Sequence, residues 1–174
     1  MSLDPLLYAE TAIQIHAFAA IAAFVLGGIV LWRRKGTALH KALGRVWVAL
    51  MLIVATSSLF INEIRLIGPF SPIHIFAVMT YVGIGQALWA IRVQRDVRAH
   101  RASMQGTYIG ALLLAGAFTF LPGRRMHEVL FGPDAGWTPS LIVIGLALAA
   151  TGLLWRRLRA APMLALRPPP ARTP

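Results

Sequence analysis

The sequence contains no cysteine. Its absence excludes disulfides, thiolate metal sites, cysteine-ligated iron–sulfur clusters and covalently attached c-type haem. Acidic residues are also scarce, with six Asp and Glu against 17 Lys and Arg. Charged residues make up 13% of the 174 residues, whereas a soluble domain carries about 25%. The composition therefore argues against a soluble protein.

Motifs of common enzyme classes are missing as well. The chain has no Gly-rich phosphate loop, no H-E-x-x-H and no recognisable hydrolase triad. No pair of carboxylates falls inside an apolar stretch. The acidic N-terminus, residues 1–10, lacks the basic region of a cleavable signal. We therefore expect no hydrolytic or transferase activity, while redox carriage stays open.

Long apolar stretches are what the chain does contain. Hydrophobic residues make up 57% of the sequence, and the mean hydropathy is +0.68. A helix needs about 20 apolar residues to cross a bilayer. The stretches predict five spans, at about 13–32, 43–62, 72–91, 104–121 and 139–155. We expect an all-α integral membrane domain over 1–159 and a disordered, basic, Pro-rich tail over 160–174.

The basic residues follow the predicted spans in a regular alternation. They are concentrated in the first connection (Arg33, Arg34, Lys35, Lys41, Arg45), the third (Arg92, Arg95, Arg98, Arg101) and the tail (Arg156, Arg157, Arg159, Arg167, Arg172). The second and fourth connections are nearly neutral. The positive-inside rule then predicts a bacterial inner-membrane protein with its N-terminus outside and its C-terminus in the cytoplasm. Because the charge of +11 follows the spans, it does not indicate nucleic-acid binding.

A short internal repeat relates the first span to the third. Residues 15–19 read IHAFA, and residues 73–77 read IHIFA. A glycine follows each histidine by eleven residues, Gly27 in the first copy and Gly85 in the second, which returns to nearly the same helix face. Two parallel copies of one helical hairpin, related by an axis along the membrane normal, would produce this pattern. The repeat predicts a four-helix bundle core plus one extra C-terminal helix.

The repeat also pairs the histidines by depth. His16 and His74 would lie near the outer face, whereas His40 and His100 would lie near the inner face. Two facing imidazoles are the ligand set of a b-type haem. The sequence therefore predicts a haem-binding membrane electron carrier that exchanges electrons with a quinone or another redox partner, with His16 and His74 as the leading pair.

Other residues would complete such haem sites. Small residues below the outer histidines, including Gly27 and Gly85, would leave room for a flat macrocycle. Near the inner pair, Arg45 and Arg101 would hold the haem propionates through charge-assisted hydrogen bonds. Both expectations depend on the hairpins facing each other across the bundle.

Two alternatives remain open on the sequence. One is a Cu or Zn site at the outer face formed by His16, His74, His127 and Glu63, since imidazole and carboxylate suit both metals. The other is a cofactor-free accessory or assembly subunit that packs against other membrane subunits. Gly106 and Gly110, spaced as in G-x-x-x-G, would favour such helix packing.

Several short motifs together resemble a known family. They are Ile15-His16, His40-Lys41-x-x-Gly44-Arg45, Pro72-x-His74, His100-Arg101 and Pro122-Gly123-Arg124. Over roughly residues 10–135 the chain resembles a family of small bacterial membrane proteins defined only as a domain of unknown function. The resemblance implies four or five membrane helices and no established activity. The histidine pattern is also similar to that of di-haem membrane cytochromes b, which implies histidine-ligated haem.

Overall fold

The protein is all-helical throughout the residues that its computed structural model describes, 2–61 and 72–164. The helices are α1 Asp4–Leu7, α2 Thr11–Trp32, α3 Ala38–Ser58, α4 Pro72–Trp89, α5 Val97–Thr107, α6 Ala115–Ala117, α7 Arg125–Phe131 and α8 Trp137–Leu164. A π-helical turn, Ala90–Gln94, extends α4. A second π segment, Tyr108–Leu114, joins α5 to α6, and a 3₁₀ turn, Phe118–Phe120, follows α6. The predicted all-α fold is confirmed.

Four helices are long and apolar enough to cross a membrane: Thr11–Trp32, Ala38–Ser58, His74–Gln94 and Trp137–Arg156. Another segment, Val97–Phe120, is followed by α7 at a bend of 67°, and this pair gives a fifth candidate span. The described part of the chain thus has four candidate spans, or up to five. This agrees with the multi-span architecture predicted from hydropathy.

The spans pack in a ring. α2 packs against α3, α3 against α4, and α4 against α5, while the π segment after α5 returns to contact α2. α8 lies outside the ring and contacts it through the π segment, α6 and the 3₁₀ turn. The centre is filled by one cluster of buried side chains drawn from all four ring members: Ala23, Trp47, Met51, Ile84, Tyr108 and Leu112.

One end of the ring carries the basic connections, and we call it the basic end. There α2 ends, and α3 and α5 begin behind side-chain caps. The Thr37 hydroxyl accepts a hydrogen bond from the His40 backbone N–H at 3.1 Å. The Asp96 carboxylate accepts from the backbone N–H groups of Arg98 (2.8 Å) and Ala99 (3.0 Å). Such caps satisfy the free donors of a first helical turn and so fix where each helix begins.

The opposite end, which we call the N-terminal end, is closed by two short helices. α1 packs against α7. A guanidinium nitrogen of Arg125 donates to the backbone carbonyl of Pro5 at 3.3 Å. Leu6 of α1 is 2% exposed, so this small contact shields apolar surface from water.

Some predicted features fall at or beyond the limits of the described chain. α8 continues to Leu164, so the first residues of the predicted tail are helical, and residues 165–174 lie outside the description. Glu63, predicted as a metal ligand, also lies outside the described residues. The proposed repeat stays a prediction, although its two hairpins do occupy neighbouring positions in the ring.

Candidate functional site

The basic end brings together the inner pair of histidines. His40 lies in the first turn of α3 and His100 in the first turn of α5, and both are half-buried. His40 is within electrostatic range of both His100 and Lys35. Two imidazoles that are distant in sequence therefore lie close enough to interact electrostatically.

His100 is held by a neighbouring span. Its Nδ1 lies 2.9 Å from the backbone carbonyl oxygen of Ala87 on α4. A carbonyl can only accept, so Nδ1 must carry the proton, which leaves the lone pair on Nε2. Metal-bound histidines typically show this arrangement, with one ring nitrogen donating to a carbonyl and the other free to ligate.

His40 differs from His100 in its side-chain contacts. Its Nδ1 is buried and has no hydrogen-bond partner among the described residues. An unsatisfied buried polar group costs about 1–3 kcal/mol. A ligand at this nitrogen would offset that cost. Each of the two imidazoles thus has one ring nitrogen without a hydrogen bond to the described residues.

Two cations, Lys35 and Arg101, lie near this pair. From the sequence, Lys35 was expected only to contribute to the membrane orientation. The Lys35 ammonium donates to the carbonyls of Val30 (2.7 Å) and Leu31 (2.5 Å), which caps the end of α2. Burial and the nearby Arg101 guanidinium lower the pKa of Lys35 below its usual value. The position of Lys35, three residues after the end of α2, is a sequence signal for this cap, because the last carbonyls of a helix lack partners within it.

Arg45 and Arg101 were both predicted to hold haem propionates, but only Arg101 lies near Lys35. Arg45 is exposed on α3, five residues after His40 and about 140° around the helix axis from it. Arg101, which directly follows His100, is within electrostatic range of Lys35. The structure thus groups Lys35 and Arg101 with the histidine pair.

At the N-terminal end, His16 faces a neighbouring helix. Its Nδ1 lies 3.0 Å from the Val54 carbonyl oxygen and 3.3 Å from the Ser57 hydroxyl on α3. It is on the same face of α2 as the buried residues Ala23 and Gly27. As in His100, a carbonyl partner at Nδ1 leaves Nε2 available.

The residues that the repeat equates between the two hairpins differ in their surroundings, as His74 and the two glycines Gly27 and Gly85 show. His74 lies in the first turn of α4 and is half-buried. Gly27 is buried inside the ring, whereas Gly85 is exposed and borders an outward-facing hollow with Trp89 and Arg92. The residues equated by the repeat therefore have different surroundings.

The space below His16 is filled by protein. An added Cβ at Gly27 would lie 2.5 Å from Trp47 Nε1 and 2.6 Å from the ring of Tyr108. The Trp47 indole donates to the Ala23 carbonyl at 3.0 Å, and the Tyr108 hydroxyl donates to the Phe24 carbonyl at 3.1 Å. These side chains leave no room for a macrocycle beside Gly27, so this part of the predicted outer site does not fit a haem. At the basic end, His40 and His100 supply imidazole groups of the kind that ligate haem iron.

His127 is fully committed to the protein backbone. Its Nδ1 lies 2.9 Å from the Phe120 carbonyl oxygen and its Nε2 2.8 Å from that of Ala135, and the residue is 1% exposed. The Ser140 hydroxyl lies 3.1 Å from Nδ1. Neither nitrogen is available for a metal in this arrangement. Among the described residues no group of three or more His, Cys, Asp or Glu is placed to hold a metal ion.

Comparison with known proteins also indicates a membrane protein. A family described as a predicted membrane protein (DUF2306) matches residues 13–154, a range that includes all five histidines and most of α8. No curated protein and no solved structure matches the chain. The family match extends further than the sequence motifs alone indicate, because it takes in the helix outside the ring. The chain belongs to this family of predicted membrane proteins, whose domain has no known function.

Proposed function

We propose that this protein is a b-type haem-binding electron carrier of the bacterial inner membrane, with the haem held at the basic end by His40 and His100. The proposal is carried by one contact: the Nδ1 of His100 lies 2.9 Å from the Ala87 carbonyl oxygen, an arrangement typical of metal-bound histidines. His40, from the other hairpin, is close enough to interact electrostatically with His100. When bound, a haem supplies reversible one-electron reduction at its iron. The sequence alone favoured His16 and His74 as the leading pair, whereas this proposal places the haem at His40 and His100.

The surrounding residues have separable roles in this proposal. The Ala87 carbonyl fixes the ring orientation and tautomer of His100. His40 would supply the second imidazole, and its buried Nδ1 has no hydrogen-bond partner among the described residues. Arg101 and Lys35 place positive charge beside the site, which suits carboxylate groups such as haem propionates. His16 and His74 remain a proposed second pair, supported by the available Nε2 of His16 and opposed by the packing at Gly27.

We further infer the orientation of the chain. The basic end faces the cytoplasm, because Lys and Arg are retained on that side of bacterial inner membranes. The N-terminal end, with α1 and α7, then faces outward. A carrier so placed would meet its redox partners, a membrane quinone among them, near the cytoplasmic interface.

The test is a reduced-minus-oxidised visible spectrum of the full chain, purified in mild detergent from haem-supplemented cells. We expect the sharp α-band of a low-spin haem, and we expect its loss in both His40→Ala and His100→Ala. Leu39→Ala is the matched control, since Leu39 neighbours His40 but is 47% exposed, and it should keep the band. A colourless protein would contradict the haem proposal. A band lost only in His16→Ala or His74→Ala would move the haem to the N-terminal end.

A second candidate function is that of a cofactor-free accessory subunit. The observation that favours it is the outlying position of α8, in which the most apolar window is only 6% buried. Its apolar side chains, such as Leu141, Leu146 and Leu153, are 62–66% exposed. They would contact either lipid or another subunit. A colourless protein that co-purifies with a membrane partner only when α8 is intact would support this role over the carrier.

A further inference from the structure

A groove runs along the outside of the ring between α4 and α5. Its volume is about 410 Å³, and its walls include Phe76, Met79 and Gly83 from α4 and Ser103 and Gly106 from α5. The two helices approach closely there because Gly83 has no side chain: a Cβ on it would overlap the Thr107 hydroxyl. Val78, Met79 and Val82 on its rim are 51–61% exposed, so the groove opens toward lipid. The volume is within the range of small-molecule sites, about 300–1,000 Å³.

Gln86 and Ser103 lie at the end of the groove nearer the basic connections, with Gln86 about midway along the candidate span His74–Gln94. From there the wall continues through Met79 and Phe76 toward the N-terminal end. Thr80 and Thr107 also line the groove, but their hydroxyls donate to backbone carbonyls of their own helices. Gln86 is exposed although it lies inside the candidate span His74–Gln94. A polar side chain facing hydrocarbon is costly without a hydrogen-bond partner. A ligand that accepts hydrogen bonds from Gln86 would remove that cost.

The polar end is neutral. The side chains that line the groove include no charged residue, and Arg92 borders the separate hollow at Gly85. A phospholipid phosphate would find no cation there. The Gln86 amide and the Ser103 hydroxyl are donors, and they suit a neutral head group that carries carbonyl oxygens.

The groove also adjoins the proposed haem site. Gln86 directly precedes Ala87, and the Ala87 carbonyl is the group that holds the Nδ1 of His100. Ser103 follows His100 by three residues, which places it about one helical turn further along α5. The polar end of the groove and the contact that holds His100 are therefore built on the same turns of α4 and α5.

We propose that this groove binds a membrane quinone, with a head-group carbonyl at Gln86 and Ser103 and the isoprenoid tail along Phe76 and Met79. The inference deepens the proposed function, on which it rests for the role of the bound quinone. Binding itself depends only on the groove. It can therefore be measured independently of whether haem is present.

The experiment measures binding of a short-tailed benzoquinone to the full-length protein in lipid nanodiscs, by equilibrium dialysis and extraction. We expect saturable binding of about one quinone per chain. Gly106→Leu should weaken it by tenfold or more, because a Cβ there meets no atom within 4 Å and the side chain would occupy the groove. Gln86→Leu should weaken it about tenfold through loss of one hydrogen bond.

The matched control is Gly110→Leu. Gly110 also has no atom within 4 Å of an added Cβ, and it lies one turn further along without lining the groove. It should bind quinone like the unmodified protein. Equal weakening by both glycine variants would attribute the effect to helix packing through G-x-x-x-G and overturn the proposal. If Gly106→Leu fails to fold, Gln86→Leu decides the outcome.

The remaining outcomes separate the two proposals. A haem band with no saturable quinone binding overturns the groove proposal and leaves the carrier proposal intact. Quinone binding that Gly106→Leu abolishes, in a protein without haem, supports the groove while contradicting the carrier. Co-purified phospholipid that quinone does not displace would assign the groove to lipid and overturn the quinone.

Discussion

Both ring nitrogens of His127 lie within hydrogen-bonding distance of buried protein groups, Nε2 of the Ala135 carbonyl and Nδ1 of the Phe120 carbonyl and the Ser140 hydroxyl. His127 thereby ties the end of the fourth candidate span to the connection that leads into α8. The sequence offered no sign of this, because a histidine in a connection is ordinarily solvated. Its burial follows from the bend before α7, which folds the connection back over Ser140.

We predict that His127→Phe destabilises the protein. The phenyl ring fills a similar volume but leaves the Ala135 carbonyl without its partner, at a cost of about 1–3 kcal/mol for a buried unsatisfied group. The Phe120 carbonyl keeps the hydrogen bond from the Ser140 hydroxyl. The midpoint of thermal unfolding in detergent measures the effect. Ser140→Ala is the comparison, because it keeps the imidazole and should cost less. An unchanged midpoint in His127→Phe would show that these contacts contribute nothing to stability.

A second prediction concerns Gly27. Replacing it with Ala would bring a methyl group to within 2.5 Å of Trp47 and 2.6 Å of Tyr108, so that both rings must move. Overpacking of this kind costs about 1–3 kcal/mol. Gly28→Ala is the control, because its Cβ would lie at an ordinary 3.6 Å from the Tyr108 hydroxyl. Equal thermal unfolding midpoints for the two variants would argue that the space beside Gly27 is open, as a haem cradle requires.

At the scale of elements, the helix starts at the basic end decide where the proposed ligands lie. Thr37 and Asp96 each cap a helix whose first turn carries a histidine. The Asp96 cap follows Arg95, whose φ of 57° is the one positive value at a described residue other than glycine. This left-handed residue ends the π turn of α4 and reverses the chain into α5. A cap therefore fixes the position of His100.

We predict that Asp96→Ala loosens the start of α5. Loss of the two cap hydrogen bonds should cost about 0.5–2 kcal/mol. If His100 ligates haem, the same variant should also bind haem more weakly, as read from the haem-to-protein ratio after purification. Asp134→Ala is the control, since it removes an exposed carboxylate elsewhere without removing a helix cap. Stability and haem content equal to those of Asp134→Ala would contradict the capping role.

At the scale of the whole molecule, the absence of cysteine makes orientation directly measurable. Single cysteines can be introduced without removing native ones. With the basic end in the cytoplasm, Ser2→Cys and Asp134→Cys should react with a membrane-impermeant maleimide in intact cells. Arg34→Cys and Arg98→Cys should react only after the cells are permeabilised. The reverse pattern would show that the proposed orientation is inverted.

Hydropathy predicted the multi-span helical architecture well because it acts along the chain. A run of about 20 apolar residues must be helical in lipid, where each backbone group needs a partner within its own segment. The five predicted spans each overlap a helical segment of the structure. The helix ends were harder to place, because caps such as Asp96 and breaks such as the bend before α7 depend on side-chain hydrogen bonds and not on hydropathy.

The candidate site was predicted only in part. The sequence by itself determined the class of protein and the four histidines of the candidate pairs, since these depend on composition and spacing. The tertiary structure decided that His40 lies within electrostatic range of His100 and Lys35, that Trp47 and Tyr108 fill the space at Gly27, and that His127 lies against backbone carbonyls. The physical reason is rotation: each helix turns about 100° per residue, so which face meets a neighbour is settled by packing across the whole ring.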